Sequence, residues 1–251
     1  MKKLLLMICI ALFICETEAQ TSTFKTGVND QRNTTIFFTE APLEDILGTT
    51  RKMESEVMIN VKNVSLNPKG TVKVDLSSLT TGIDLRDKDM KSADYLNTAK
   101  YPYAIFSLTG ISEAVELKDA KKTNVMLSGN LTIRGVTKNI SVPVELTYFK
   151  QGQNTQSKLK GNLLKVSSTF NIKMSDFGIE VPSLLLMKVS NDVKITVNFV
   201  ATDADSKSAV SQCNPCNPCS PKKGTCSPKK GQRSATCNPC APKKDKKPNN
   251  S

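Results

Sequence analysis

A two-residue rhythm recurring from residue 35 to residue 199 constrains this chain more than any other feature. Val57, Ile59 and Val61 alternate with Glu56, Met58 and Asn60, and Val72, Val74 and Leu76 alternate with Lys73 and Asp75. Val125, Leu127, Leu131 and Ile133 share one parity, with Ser128, Asn130 and Thr132 on the other. The same holds for Ile140, Val142, Val144 and Leu146, for Leu164, Val166, Phe170, Ile172 and Met174, and for Val193, Ile195, Val197 and Phe199. Shorter runs at 35–39 and 104–110 behave similarly. Successive side chains of a strand point to opposite faces, so each run has one wet face and one apolar face. Eight such strands predict an all-β antiparallel fold. With polar outer faces throughout and no helical layer to cover a flat sheet, it must close on itself or form a sandwich.

The punctuation agrees. Residues 134–138, RGVTK, join two long strands as a hairpin, and Asn67-Pro68-Lys69-Gly70 combines a residue of fixed φ with a permissive one. Only 84–96, DLRDKDMKSADYL, breaks the alternation. There Leu85, Met90, Ala93 and Leu96 fall on one arc at helical spacing, while Asp84–Lys88 and Asp87–Lys91 are spaced as i,i+4 pairs. One helix is expected to cross between strands or to cover a barrel end, with Tyr101-Pro102 stopping any continuation.

The two ends of the chain read differently. Lys2 and Lys3, the apolar run 4–14 and Thr17-Glu18-Ala19 have the layout of a secretory signal peptide over 1–19. Residues 201–251 hold ten Lys and Arg against three Asp and Glu, so most of the chain's net charge of +12 lies there. That segment has almost no apolar side chain and is expected to be disordered unless something staples it. The expected organisation is a leader over 1–19, a barrel domain over 20–203, and a basic cysteine-rich tail over 204–251. Residues 20–212 contain no cysteine, so the body needs no disulfide.

Three blocks carry a resemblance. Residues 81–106, TGIDLRDKDMKSADYLNTAKYPYAIF, resemble the signature of the YceI-like family, and 129–146, GNLTIRGVTKNISVPVEL, resemble its central hairpin. Residues 168–182, STFNIKMSDFGIEVP, resemble its later strand and the loop after it. The resemblance covers roughly 24–200. It implies an exported bacterial protein, secreted or periplasmic, with an eight-stranded lipocalin-like barrel that binds a polyisoprenoid or similar lipid. Many members carry a histidine where Asp89 stands, whereas this chain has none, so no histidine-based role is carried over.

In that reading Val57, Ile59, Val74, Phe106, Leu127, Leu131, Val142, Val144, Phe170, Ile172, Ile195 and Val197 line a ligand cavity. Their parity alone is equally compatible with a filled core. Arg86, Lys88 and Lys91 are candidates to meet a phosphate or carboxylate head group, with a solvated helix face as the plain alternative. No cofactor is expected beyond a bound lipid, and no nucleic-acid specificity. A homodimer is left open, as is contact of the tail with an anionic envelope surface.

Catalysis finds no support. Without histidine there is no conventional triad or His–Cys dyad, and the Asp84, Asp87, Asp89, Asp94 cluster reads as structural pairing. Asp176-Phe177-Gly178 lacks every other element of a kinase, and no phosphate-binding glycine motif occurs. Sequons at Asn33, Asn63, Asn130, Asn139 and Asn249 matter only in a eukaryotic secretory route. In the tail, Cys216-x2-Cys219 and Cys237-x2-Cys240 have the spacing of a zinc site. In an exported chain disulfides compete with that reading, as does plain disorder. A lipid carrier is therefore the leading expectation. Its rivals are a structural or envelope-attachment protein with a filled barrel, and a metal- or stress-handling protein working through tail thiols.

Overall fold

The computed structural model describes residues 21–152, 155, 159–185 and 187–204. The expected leader, the cysteine tail beyond Ala204 and its candidate zinc ligands lie outside the described residues. Ten strands follow in order: β1 (Thr21–Thr26), β2 (Thr34–Glu40), β3 (Asp45–Thr50), β4 (Met53–Asn60), β5 (Lys69–Asp75), then helix α1 (Asp84–Lys91), β6 (Tyr103–Ile111), β7 (Lys122–Ile133), β8 (Val136–Phe149), β9 (Leu163–Lys173) and β10 (Asp192–Thr202). All the strand pairings are antiparallel, in the order β1-β4-β5-β6-β7-β8-β9-β10, and Lys25 pairing Thr202 closes the ring.

These ten strands occupy eight positions. β10 is flanked by β1 near one end and by β2 along the other, through Ile195 opposite Phe37. β4 flanks β1 while β3 flanks β2. β1 and β2 are thus two halves of one strand interrupted at 27–33, and β3 and β4 are halves of another bent at Arg51-Lys52. The barrel has eight strands, as the alternation predicts, and it is an up-and-down meander. Asn33, 0% exposed, secures the first interruption. Its amide donates to the Gly27 and Met53 carbonyls (2.9 and 3.0 Å), and its side-chain oxygen accepts from the Thr26 hydroxyl. A side chain so enclosed is no glycan acceptor in the folded protein.

The β7–β8 hairpin turns on Arg134 and Gly135, both with positive φ (51° and 76°), the two-residue form that matches strand twist. Pro143 sits mid-strand in β8, where it has no N–H to give. The β8–β9 ladder runs only from Phe149 opposite Leu163 to Val144 opposite Ser168, ending next to that proline. Beyond it the 3-10 turn Met174–Phe177 packs into the gap, with Phe177 and Ile179 almost fully buried.

The two barrel ends differ. At the base, loops 61–68 and 112–121 form a plug: Val64 (0% exposed) donates its N–H to the Val115 carbonyl, and Leu117 donates to Val61. Phe24, Ile59, Leu146, Leu164, Phe199 and Ala201 complete a close-packed core. On the outer face, cross-strand ion pairs such as Lys25–Glu56 and Lys73–Glu54 (both 3.0 Å) mark the wet parity.

At the other end lies α1, which is shorter than expected. Predicted over 84–96, it stops at Lys91, because Ser92 turns extended (ψ 171°) and the chain folds back so that Leu96 N–H reaches the Met90 carbonyl. Asn97 takes a positive φ (48°) to complete the turn. Leu96 thereby returns to the arc of Met90 through a turn rather than through helix. Among the described residues neither Asp84–Lys88 nor Asp87–Lys91 closes as an ion pair. Asp87 instead accepts from the hydroxyls of Thr80 and Thr81 and the N–H of Thr81, which ties the helix to the strand-end before it.

Candidate functional site

The inward parity does not fill the upper half of the barrel. A cavity of about 930 Å³ runs from the core to the α1 end. All twelve residues expected to line a cavity do border it, from Val57, Ile59 and Val74 through Phe106, Leu127, Leu131, Val142 and Val144 to Phe170, Ile172, Ile195 and Val197. Several of them are only half-buried although they point inward, since one side of each faces the void.

Two glycines help to keep that space open. A Cβ at Gly129 would lie 2.4 Å from the Phe106 ring and 2.7 Å from the Ser107 carbonyl. A Cβ at Gly48 would lie 2.2 Å from the Phe37 ring. Both rings are therefore laid flat over bare backbone, along the wall rather than across the lumen. β2 carries a surprise of register. Its inward residues are Thr35, Phe37 and Thr39, so Ile36 and Phe38 face outward. The hydroxyls on the wall already have partners: Thr39 donates to the Ser190 carbonyl (3.4 Å), Ser168 to Pro143 (2.8 Å), and Thr35 to the Met53 sulfur (3.7 Å). The interior is left with an apolar wall and no polar group aimed into it.

The mouth is built from loops. Leu85, Met90 and Leu96 from α1 and the turn after it border the cavity, together with Ile83, Leu185 and Val189. Ala93, expected on the same arc, is exposed and does not. Arg134, at the tip of the β7–β8 hairpin, clamps the rim by donating to the Ala93 carbonyl (2.9 Å) and to the Gly178 carbonyl. Of the three candidate head-group cations, only Arg86 reaches the cavity, and it is held by an ion pair with Glu44 and a bond to the Thr81 hydroxyl. Lys88 and Lys91 lie off the lining.

The mouth also carries Asp89 and Asp94, which the sequence suggested as structural pairs, and Glu44, Tyr95, Glu180 and Lys188, which sequence reasoning missed. Those four sit in connections outside the helix and strands, where no periodicity exists to reveal them. Burial, then the neighbouring Asp89 and Asp94 carboxylates, push the Tyr95 phenol above its usual pKa. Among the described residues no three His, Cys, Asp or Glu side chains converge on a possible metal position.

The YceI-like domain matches residues 28–201, most of the chain and all but the first strand of the ring. The chain belongs to the YceI-like family. Protein YceI of Escherichia coli O6:H1 is 31% identical over 135 residues, which are 54% of this chain and 64% of that protein. Protein YceI of Salmonella arizonae is 30% identical over 134 residues. The aligned region thus spans just under two thirds of these relatives. Among solved structures, Burkholderia cenocepacia BcnA superposes with a TM-score of 0.55 at 19% identity, covering 68% of this chain and 96% of that one. A polyisoprenoid binding domain from Saccharophagus degradans, implicated in plant cell wall breakdown, superposes at 0.53 with 18% identity, covering 73% and 99%. At such identities the structural likeness speaks for the fold.

Proposed function

We propose that this YceI-like protein is an exported lipid-binding protein that holds an isoprenoid-type or similar apolar chain inside its barrel and performs no covalent chemistry on it. The observation that carries the reading is the convergence of twelve inward residues, from seven strands, on one continuous apolar cavity. Left empty, the apolar wall of this 930 Å³ cavity forgoes the dispersion contacts that a packed core would give it. Water is a poor occupant, because each buried molecule needs two to four polar partners and the wall hydroxyls are already bonded within the protein. A long apolar chain replaces that loss with dispersion contacts, and a tube closed at the base and open at the mouth admits such a chain end-on. The Saccharophagus degradans domain, described as polyisoprenoid binding, supports the same ligand class. The cavity weighs against the filled-barrel alternative. The charged and apolar layout of 1–19 supports export.

Native mass spectrometry of the full chain purified without detergent, followed by solvent extraction, tests this reading. The expected result is a stoichiometric lipid of extended apolar structure, lost on extraction and regained on incubation with a prenyl alcohol. A protein that carries no lipid and takes up none after extraction would overturn the proposal.

A further inference from the structure

The charges around the cavity are distributed against the trend of the chain. Overall the protein has 35 Lys and Arg against 23 Asp and Glu. The groups that border the cavity reverse that ratio: Glu44, Asp89, Asp94 and Glu180 against Arg86 and Lys188. They come from three separate segments, the β2–β3 turn, α1 with the turn after it, and the loop following the Met174–Phe177 turn, so the excess is not an accident of one acidic run. Of the two cations, Arg86 is already neutralised by Glu44 and fixed by Thr81. Among the described residues that border the cavity, Asp89, Asp94 and Glu180 remain to meet the end of a bound chain against Lys188, with the Arg134 guanidinium behind the rim occupied by the Ala93 and Gly178 carbonyls.

The identity of that end follows from where the charges stand. Among the described residues the hydroxyls that line the wall below the mouth are bonded within the protein, so a polar head is best accommodated at the mouth, among these carboxylates. Beside an apolar cavity the field of an unpaired carboxylate is screened less than in open water. An anion brought there meets net like charge and loses hydration that no donor cluster replaces. An alcohol or amide meets acceptors and the Tyr95 hydroxyl without that repulsion, and an ammonium is attracted. Burial, then the Asp89 and Asp94 carboxylates, disfavour the Tyr95 anion, so Tyr95 meets a head group as a neutral hydroxyl.

We infer that the mouth selects by charge, accepting chain lipids whose head is uncharged or cationic and rejecting those that end in a phosphate or diphosphate. This rests on the lipid-binding reading above and narrows it. The cavity makes the site, and the carboxylates decide which end-group it tolerates. Of the two readings the sequence left open for Arg86, Lys88 and Lys91, this selection favours the solvated helix face over the anionic head-group site.

The test compares one chain with three heads. Farnesol, farnesylamine and farnesyl diphosphate are titrated into the delipidated full chain, each read by displacement of the uncharged dye Nile red. At ~0.15 M salt, where the screening length of about 8 Å isolates the mouth from the basic charge elsewhere on the chain, the diphosphate is expected to bind at least tenfold more weakly than the alcohol, with the amine equal to the alcohol or tighter. The double substitution Asp94→Asn with Glu180→Gln should raise the diphosphate-to-alcohol affinity ratio, and this within-protein ratio is insensitive to a general loss of folded protein. A diphosphate that binds as tightly as the alcohol, or tighter, overturns the inference and leaves the lipid-binding reading intact. Failure of all three heads to displace the dye overturns the lipid-binding reading, and the inference falls with it.

Discussion

Phe24 and Phe170 are the same residue on the same inward parity, yet one sits in the packed base and the other on the cavity wall. Phe24 is 0% exposed and meets the Tyr148 ring edge-on at 6.3 Å between centroids. Phe24 does not border the cavity, so truncating it to Ala opens a new hole beside Tyr148, and the loss should be about 4 kcal/mol. Phe170 already borders the 930 Å³ cavity. Phe170→Ala enlarges an existing void rather than creating one, so only the transfer part remains. For a fully buried Phe that part is ~1.5–3 kcal/mol, and for this half-buried ring about 1–1.5 kcal/mol. The assay is urea and thermal unfolding of delipidated protein, since bound lipid would stabilise the native state by mass action and blur the comparison. At ~2–4 °C per kcal/mol the midpoint should fall by roughly 8–16 °C for Phe24→Ala and by roughly 2–6 °C for Phe170→Ala. Adding prenyl alcohol should then distinguish the two again, with altered lipid affinity in the Phe170 variant only. Equal losses at the two sites would refute the division of the barrel into a packed base and a hollow upper half.

Gly129→Ala should be costly although it adds one methyl group. The Cβ meets the Phe106 ring and, at 2.7 Å, the backbone carbonyl of Ser107, which cannot swing away, so a loss of about 1–3 kcal/mol and a cavity constricted by the displaced ring are expected. Unfolding midpoints and dye capacity check both; an unchanged capacity would show that the ring lies elsewhere. Asp87 gives the α1 attachment an acid dependence. Burial raises its pKa, but the hydroxyls of Thr80 and Thr81 and the Thr81 N–H outweigh that and hold it below the usual value. A depressed native pKa contributes stability that is complete above the unfolded value of about 3.9 and is lost as pH falls through the native one. The stability difference between the protein and its Asp87→Asn variant should therefore favour the unsubstituted chain at pH 6 and shrink below pH 4, and a difference independent of pH would remove Asp87 as the tether.

How much of this was legible in the sequence depends on whether a residue sits in a repeating environment. The runs at 57–61, 72–76, 104–110, 125–133, 140–146, 164–174 and 193–199 each repeat the same contrast between core and water, so their parity alone put the twelve wall residues on one face. β1 and β3 escaped notice because TSTFKT has one apolar side chain to bury and DILGTT places Gly48, over which Phe37 lies, at its second inward position. The eight-position count survived the omission because each missed strand continues a recognised one. β2 misleads differently, since TTIFFTE offers apolar residues on both parities, and only its pairing with β10 and β3 decides that Phe37 faces in. Filled core and cavity share one pattern; what separates them is where rings lie and how far the loops close, and neither is periodic.

The mouth shows the same limit from the functional side. Arg86, Lys88 and Lys91 stand within six residues of one another, and a basic cluster beside a lipid cavity invites a phosphate. The fold disperses them: Arg86 turns to Glu44, forty-two positions earlier, while Lys88 and Lys91 leave the lining. The carboxylates that do gather, Glu44, Asp94 and Glu180, are remote in sequence and meet only because three connections converge on one barrel end. A strand position must satisfy its neighbours on both sides, whereas a mouth residue answers mainly to what enters. If the barrel holds a lipid as proposed, substitutions at a few of these mouth positions should change the head group it accepts while leaving the apolar wall as it is.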